Sequence, residues 1–251
     1  MNDKSKPLRP SLEDLDTGAL LSDALSEESP DETVTNKGWF TVGNLIKALI
    51  VIALAAALYL PDRRVATEFR SLLSDISIDE QTISGEWKKT SKGIESTNDE
   101  AVSLLRIPLD PYPEEVEFRW RLTRLSGTNS IGLFFQSPHG FGSLELDAWE
   151  VLGLAGVQVV GETDLRDSGS FQLPARENET IDLRLQVLNN RIHVYQGDDW
   201  LQTYEMQSST LSPSEPWNLS EDITGSNMVT LATWKSRVRF EALEWRALLK
   251  K

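Results

Sequence analysis

The alternation of apolar and polar residues between positions 85 and 247 is the feature that most constrains the fold. Successive side chains of a β-strand point to opposite faces of a sheet, so this two-residue period predicts strands with one apolar face. Turn-forming residues separate the runs, as in SGTN at 126–129. The pattern predicts an all-β domain over 85–251, a two-layer antiparallel β-sandwich of the jelly-roll type. The runs lie at 116–124, 130–137, 143–149, 181–187, 191–197, 228–234 and 237–245.

Three other segments precede this domain. Residues 1–38 are acidic and poor in bulky apolar side chains, which predicts a disordered acidic tail. The run ALIVIALAAALYL ends at Leu60, and 21 residues from Phe40 make about 31 Å of helix. We therefore predict a transmembrane helix over 39–60, an uncleaved signal anchor rather than a buried core helix or a cleaved signal peptide. Apolar residues at helical spacing predict a juxtamembrane helix and linker over 61–84, with the helix ending near Ser77.

Composition excludes several classes of function. The chain has no cysteine and two histidines, which excludes a disulfide scaffold, thiol catalysis, and zinc sites built from cysteines or several histidines. Its formal net charge of −14 argues against a nucleic-acid partner, because phosphate contacts need a basic face.

The polar faces of the predicted strands supply a candidate ligand site. Sugar sites combine a flat aromatic ring with planar polar groups that bind hydroxyls. The site residues we predict are Asp147, Trp149, Arg184, Gln186, His193 and Tyr195. A solvated outer face with cross-strand ion pairs is the alternative. Glu145 and Asp147, about 6.5 Å apart along a strand, also suit a hydrolytic pair, but no catalytic residue is assigned.

Four stretches of the chain resemble a known class of domain. They are FRWRLTRLSGTNSIGLFFQS, LELDAW, LRLQVLNNRIHVYQGDDWLQTYE and VTLATWKSRVRFEALEWRAL. Together they resemble the concanavalin-A-like, laminin-G-like sandwich domains of bacterial single-pass membrane proteins, and they are similar to the jelly roll of the 3-keto-disaccharide hydrolase family. The resemblance covers about residues 85–248 and includes no catalytic signature.

The resemblance implies a glycan ligand and a domain outside the cytoplasm. The flanking charges, Lys37 and Lys47 against Arg63, Arg64 and Arg70, slightly favour the opposite orientation. Laminin-G-like domains often carry calcium at a sandwich rim, so the acidic loops 162–167 and 196–200 are either calcium sites or ordinary turns. No other cofactor is expected.

These observations predict a membrane-anchored β-sandwich that binds a glycan or a protein partner outside the cytoplasm. Two alternatives stay open: a membrane-tethered sugar hydrolase of the keto-disaccharide type, and a purely structural interaction module.

Overall fold

The computed structural model describes residues 64–98, 101–158, 161, 163–167, 169–206, 210–212, 217 and 227–249, together with residues 46, 47 and 50. The chain divides into two units, 1–60 and 61–251. The predicted tail over 1–38 lies outside the described residues. So does the predicted membrane helix over 39–60, apart from Ile46, Lys47 and Ile50, which are helical. Among the residues that are described, no helix has both the length and the apolar character needed to cross a membrane.

Short and long β-strands account for most of the second unit. A four-residue helix, α1 (Ile78–Gln81), and a 3-10 turn (Ala148–Glu150) interrupt them. The strands in chain order are β1 (Val65–Ala66), β2 (Arg70–Ser71), β3 (Thr82–Ser84), β4 (Trp87–Thr90), β5 (Gly93–Ser96), β6 (Val102–Pro108), β7 (Val116–Gly127), β8 (Ile131–Ser137), β9 (Gly140–Leu146), β10 (Leu154–Val157), β11 (Phe171–Gln172), β12 (Thr180–Val187), β13 (Arg191–Gln196), β14 (Asp199–Glu205), β15 (Met228–Trp234) and β16 (Ser236–Leu249).

These strands form two antiparallel sheets. The nine-stranded sheet has the order β14-β13-β12-β7-β16-β5-β4, and β1 and β2 also pair with β16. The seven-stranded sheet has the order β11-β10-β9-β8-β15-β6-β3. The predicted all-β, two-layer antiparallel sandwich is therefore confirmed.

The core lies between the apolar faces of the two sheets, as the two-residue period predicts. Phe118, Trp120 and Leu122 of β7 are at most 1% exposed, and they belong to one apolar cluster with Leu133 of β8. The ring of Trp120 stacks on that of Phe240 in β16, with 6.2 Å between centroids and 8° between planes. Alternation along each strand thus decides which side chains leave water.

The predicted helix ending near Ser77 is wrong. Residues 65–66 and 70–71 instead form β1 and β2, which pair with the end of β16 in the registers Val65 to Leu249 and Arg70 to Trp245. β5 pairs with β16 only at Arg239 and Phe240. The later part of β16 therefore has backbone N–H and C=O groups on that edge that need other partners. Long-range pairing therefore overrides the local helical spacing, and strand structure begins at residue 65 rather than 85.

Candidate functional site

The outer face of the nine-stranded sheet gathers four of the six predicted site residues. In the register of β12 and β13, Arg184 lies opposite Tyr195 and Gln186 lies opposite His193. These residues alternate with buried apolar ones, so they share the face directed away from the core. Two adjoining depressions of about 300 and 410 Å³ lie on this face, and we refer to them together as the groove.

Glu117 of β7 lies in the groove and is fully buried, although the sequence places it on a polar face. Its Oε2 accepts hydrogen bonds from Nη2 and Nε of Arg246, at 2.8 and 3.2 Å, and from Nε2 of Gln186 at 3.0 Å. Its Oε1 has no hydrogen-bond partner within the described part of the chain, and Arg184 Nε lies 3.9 Å away. Glu117 is absent from the predicted site, and only its polar-face position in the sequence pointed to it.

Aromatic side chains flank this carboxylate. The guanidinium of Arg184 lies 4.2 Å from the centre of the Tyr195 ring, and the His193 ring lies 6.2 Å from it. Trp200, opposite Tyr195 in the β13–β14 register, is 60% exposed. Trp200 is not among the predicted site residues, because a tryptophan after the turn at 196–199 gives no sign of which sheet face it joins.

Hydrogen bonds fix the orientation of His193. Trp200 Nε1 donates to Thr203 Oγ1 at 3.0 Å, and the same oxygen lies 2.7 Å from His193 Nδ1. Burial lowers the pKa of His193 below its ordinary value, and the positive charge of Arg191 lowers it further. The imidazole is therefore neutral near pH 7, and it offers the groove one donor or acceptor rather than a charge.

The structure separates Asp147 from this face, which corrects the predicted placement. The strand expected over 143–149 ends at Leu146, and β9 belongs to the seven-stranded sheet. Asp147 is fully buried, and its Oδ2 lies 2.6 Å from Arg124 Nη2. Backbone N–H groups of Gly153 and Ala175 donate to the same carboxylate at 2.5 and 3.2 Å. The Asp147 carboxylate is therefore occupied by contacts that stabilise the turn, and it does not line the groove.

Trp149 also lies away from the groove. It has φ of 62° within the 3-10 turn, it is 38% exposed, and the Arg166 guanidinium covers its ring at 4.6 Å. It borders a separate cleft of about 170 Å³ that is also lined by Trp217 and Trp234. The site predicted as one surface is therefore divided between the nine-stranded sheet and the turn that follows β9.

Two acidic side chains of the predicted calcium loops, those of Asp164 and Asp198, have arginine partners. Asp164 accepts a 2.7 Å hydrogen bond from Arg166, which lowers the pKa of Asp164. Asp198 is fully exposed, and its Oδ1 lies 3.8 Å from Arg184. In the described ranges, no three His, Asp or Glu side chains converge in a way that would hold a metal ion. Calcium binding therefore stays a prediction.

Comparisons with known proteins are informative only at the level of structure. No protein-family model matches the chain, and no curated protein matches it. A Bacillus subtilis protein with a galectin-like fold has a TM-score of 0.51 at 10% identity, over 74% of this chain and 98% of that one. The Crh5 transglycosylase has a TM-score of 0.50 at 9% identity, over 74% and 87%. These likenesses show the fold alone, a β-sandwich.

Proposed function

We propose that the groove on the nine-stranded sheet binds a glycan. The observation that carries the proposal is the buried Glu117 carboxylate, whose Oε1 has no hydrogen-bond partner in the described residues and lies beside the donors of Arg184 and Gln186. A sugar hydroxyl donates to such an oxygen and accepts from neighbouring N–H groups at the same time. An acceptor left without a partner in a buried position costs free energy, and a ligand hydroxyl would recover that cost.

Aromatic rings beside Glu117 support the same ligand class. Tyr195 and the exposed Trp200 offer apolar ring surface next to the polar groups, and the ring of a sugar has both kinds of surface. Among the similar folds, the Crh5 protein is by name a transglycosylase, which also supports a saccharide ligand.

A glycan array probed with the full chain, followed by titration of the best hit, tests this proposal. Tyr195→Ala should weaken binding by about tenfold or more, equivalent to roughly 1.4 kcal/mol, because it removes ring surface from the groove. Trp149→Ala is the matched control and should bind normally, because Trp149 lies in the 3-10 turn after β9 and borders a separate cleft. Loss of binding in Trp149→Ala alone, or in neither variant, would contradict the proposed site.

The hydrolase alternative has less support than binding. It depends on Glu145 and Asp147 as a pair, and Arg124 and two backbone N–H groups already engage Asp147. Glu145 is buried too, and its Oε1 accepts hydrogen bonds from Ser143 Oγ and Trp217 Nε1. Neither carboxylate lines the groove.

We also propose that residues 39–60 anchor the chain in a membrane and hold the sandwich outside the cytoplasm. The length of the apolar segment supports the anchor, and the resemblance to exported sandwich domains supports the orientation. The chain has no cysteine, so single Ser5→Cys and Ser91→Cys variants each place one thiol on one side of the proposed anchor. A membrane-impermeant maleimide labels such a thiol only where it is exposed outside the cell. Labelling of intact cells should occur at position 91 and not at position 5. The reverse pattern would show the opposite orientation, and equal labelling of both would argue against a membrane span.

A further inference from the structure

We propose that the glycan bound in the groove is anionic, and that Arg119 and Arg184 bind its carboxylate or sulfate groups. This inference rests on the proposed glycan-binding function and names its ligand class.

Two arginines face each other at the centre of the outer face. Arg119 of β7 lies directly opposite Arg184 of β12, and both line the groove. Like charges at directly opposite positions of adjacent strands destabilise a sheet. The row continues to Tyr195 of β13, so the two guanidinium groups lie beside the aromatic side of the site.

The neighbours of these arginines have ion-pair partners. Arg121 makes two hydrogen bonds to Asp182, at 2.6 and 3.2 Å, and Arg246 makes two to Glu117. Arg119 contacts the Phe69 ring at 4.1 Å and, within the described part of the chain, has no carboxylate within salt-bridge distance. Glu244 of β16 lies opposite Arg119 in the register and lines the same depression, but it forms no salt bridge with Arg119.

Arg184 is only weakly neutralised. Its nearest carboxylate oxygens are those of Glu117 and Asp198, at 3.9 and 3.8 Å, which is beyond hydrogen-bond distance. Its Nε is buried and has no hydrogen-bond partner in the described residues. A buried guanidinium N–H without an acceptor is as costly as a buried acceptor without a donor. A ligand anion placed between Arg119 and Arg184 would accept hydrogen bonds from both.

The surrounding charge favours the same ligand. Arg64, Arg191 and Arg246 line the larger depression, where Glu117 is the acidic residue. Burial is the main cause of the lowered pKa of His193; the charges of Arg191 and Arg64 lower this pKa further, and that of Glu205 raises it. Arg246 pairs with Glu117 there and Arg64 pairs with Glu115, so Arg191 is the arginine of this depression that has no carboxylate within salt-bridge distance in the described part of the chain. Guanidinium groups suit this ligand, because their planar N–H donors match carboxylate and sulfate oxygens two at a time.

Paired oligosaccharides that differ only in charge test the inference on the full chain. One pair is an oligogalacturonate and its full methyl ester, and the other is a heparin-derived oligosaccharide and its desulfated form. The charged member of at least one pair should bind tenfold or more tightly than its neutral counterpart. Raising the salt concentration from roughly 0.05 to 0.5 M should reduce that ratio, because added salt shortens the Debye length and screens the attraction between exposed charges. The pair that shows the preference distinguishes carboxylate from sulfate.

Substitutions assign the preference to the arginines. Arg119→Gln should reduce the ratio of charged to neutral binding by about tenfold, whereas Tyr195→Ala should weaken both members alike. Arg176→Gln is the control, since Arg176 is 66% exposed and outside the groove, and it should retain the ratio. Equal binding of charged and neutral members overturns the anionic ligand and leaves the proposed function standing. Failure of every glycan on the array to bind overturns both.

Discussion

Replacing Asp147 with alanine should destabilise the sandwich strongly, although the sequence suggested a surface residue. The side chains of Asp147 and Arg124 are 0% and 2% exposed, so the substitution leaves the Arg124 charge buried without a counter-charge. Removing one partner of a buried pair costs about 3–5 kcal/mol. Gly153 and Ala175 also lose the acceptor for their backbone N–H groups, which places the expected loss toward the upper end of that range.

Guanidinium-induced unfolding of residues 61–251, followed by tryptophan fluorescence, measures this loss of unfolding free energy. Asp182→Ala is the matched control, because it breaks the Arg121–Asp182 pair, whose side chains are 51% and 43% exposed. Exposed pairs contribute little, so the control should cost less than about 1 kcal/mol.

A double-mutant cycle separates the ion pair from general damage. Arg124→Met alone leaves Asp147 charged and buried, while Arg124→Met with Asp147→Leu removes both charges. The double variant should be markedly more stable than the sum of the two single losses implies, because apolar residues replace buried ion pairs well. A loss below about 1 kcal/mol in Asp147→Ala, or strictly additive losses in the cycle, would refute the reasoning.

Three further predictions concern the fold. Trp120→Ala should cost about 3–5 kcal/mol in unfolding free energy, because its ring is 1% exposed and stacked on Phe240; a loss below about 1 kcal/mol would show that the sheet faces are reversed. A fragment of residues 78–251 should be less stable than 61–251 by about 3 kcal/mol or more, because it lacks the buried Leu73 and Ile76 as well as β1 and β2; equal denaturation midpoints would contradict this. Because the pKa of His193 is lowered in the folded state, the unfolded chain binds the proton of this histidine more tightly. The free energy of unfolding should therefore fall as the pH drops below about 6.5 toward the folded-state pKa, and His193→Gln should remove that part of the fall. An unchanged pH profile of stability in the variant would argue against this explanation.

Sequence alone determined the features that depend on neighbours along the chain. The two-residue period assigned Phe118, Trp120 and Leu122 to the core, because alternation of side chains is a property of any single extended strand. For the same reason it placed Arg184 and Gln186 on one polar face of β12, and His193 and Tyr195 on one polar face of β13.

Only the tertiary structure decided which strands share a sheet. β9 pairs with β8 and β10 in the seven-stranded sheet, which moves Asp147 and Trp149 away from the groove, and no local period carries that information. Long-range pairing with β16 likewise makes short strands of residues 65–66 and 70–71. It also buried Glu117 on a face that the sequence marked as polar, because Arg246 and Gln186 come from strands that lie beside β7 only after folding. Hydrogen bonds between strands connect residues far apart in sequence, and the candidate site depends on those connections.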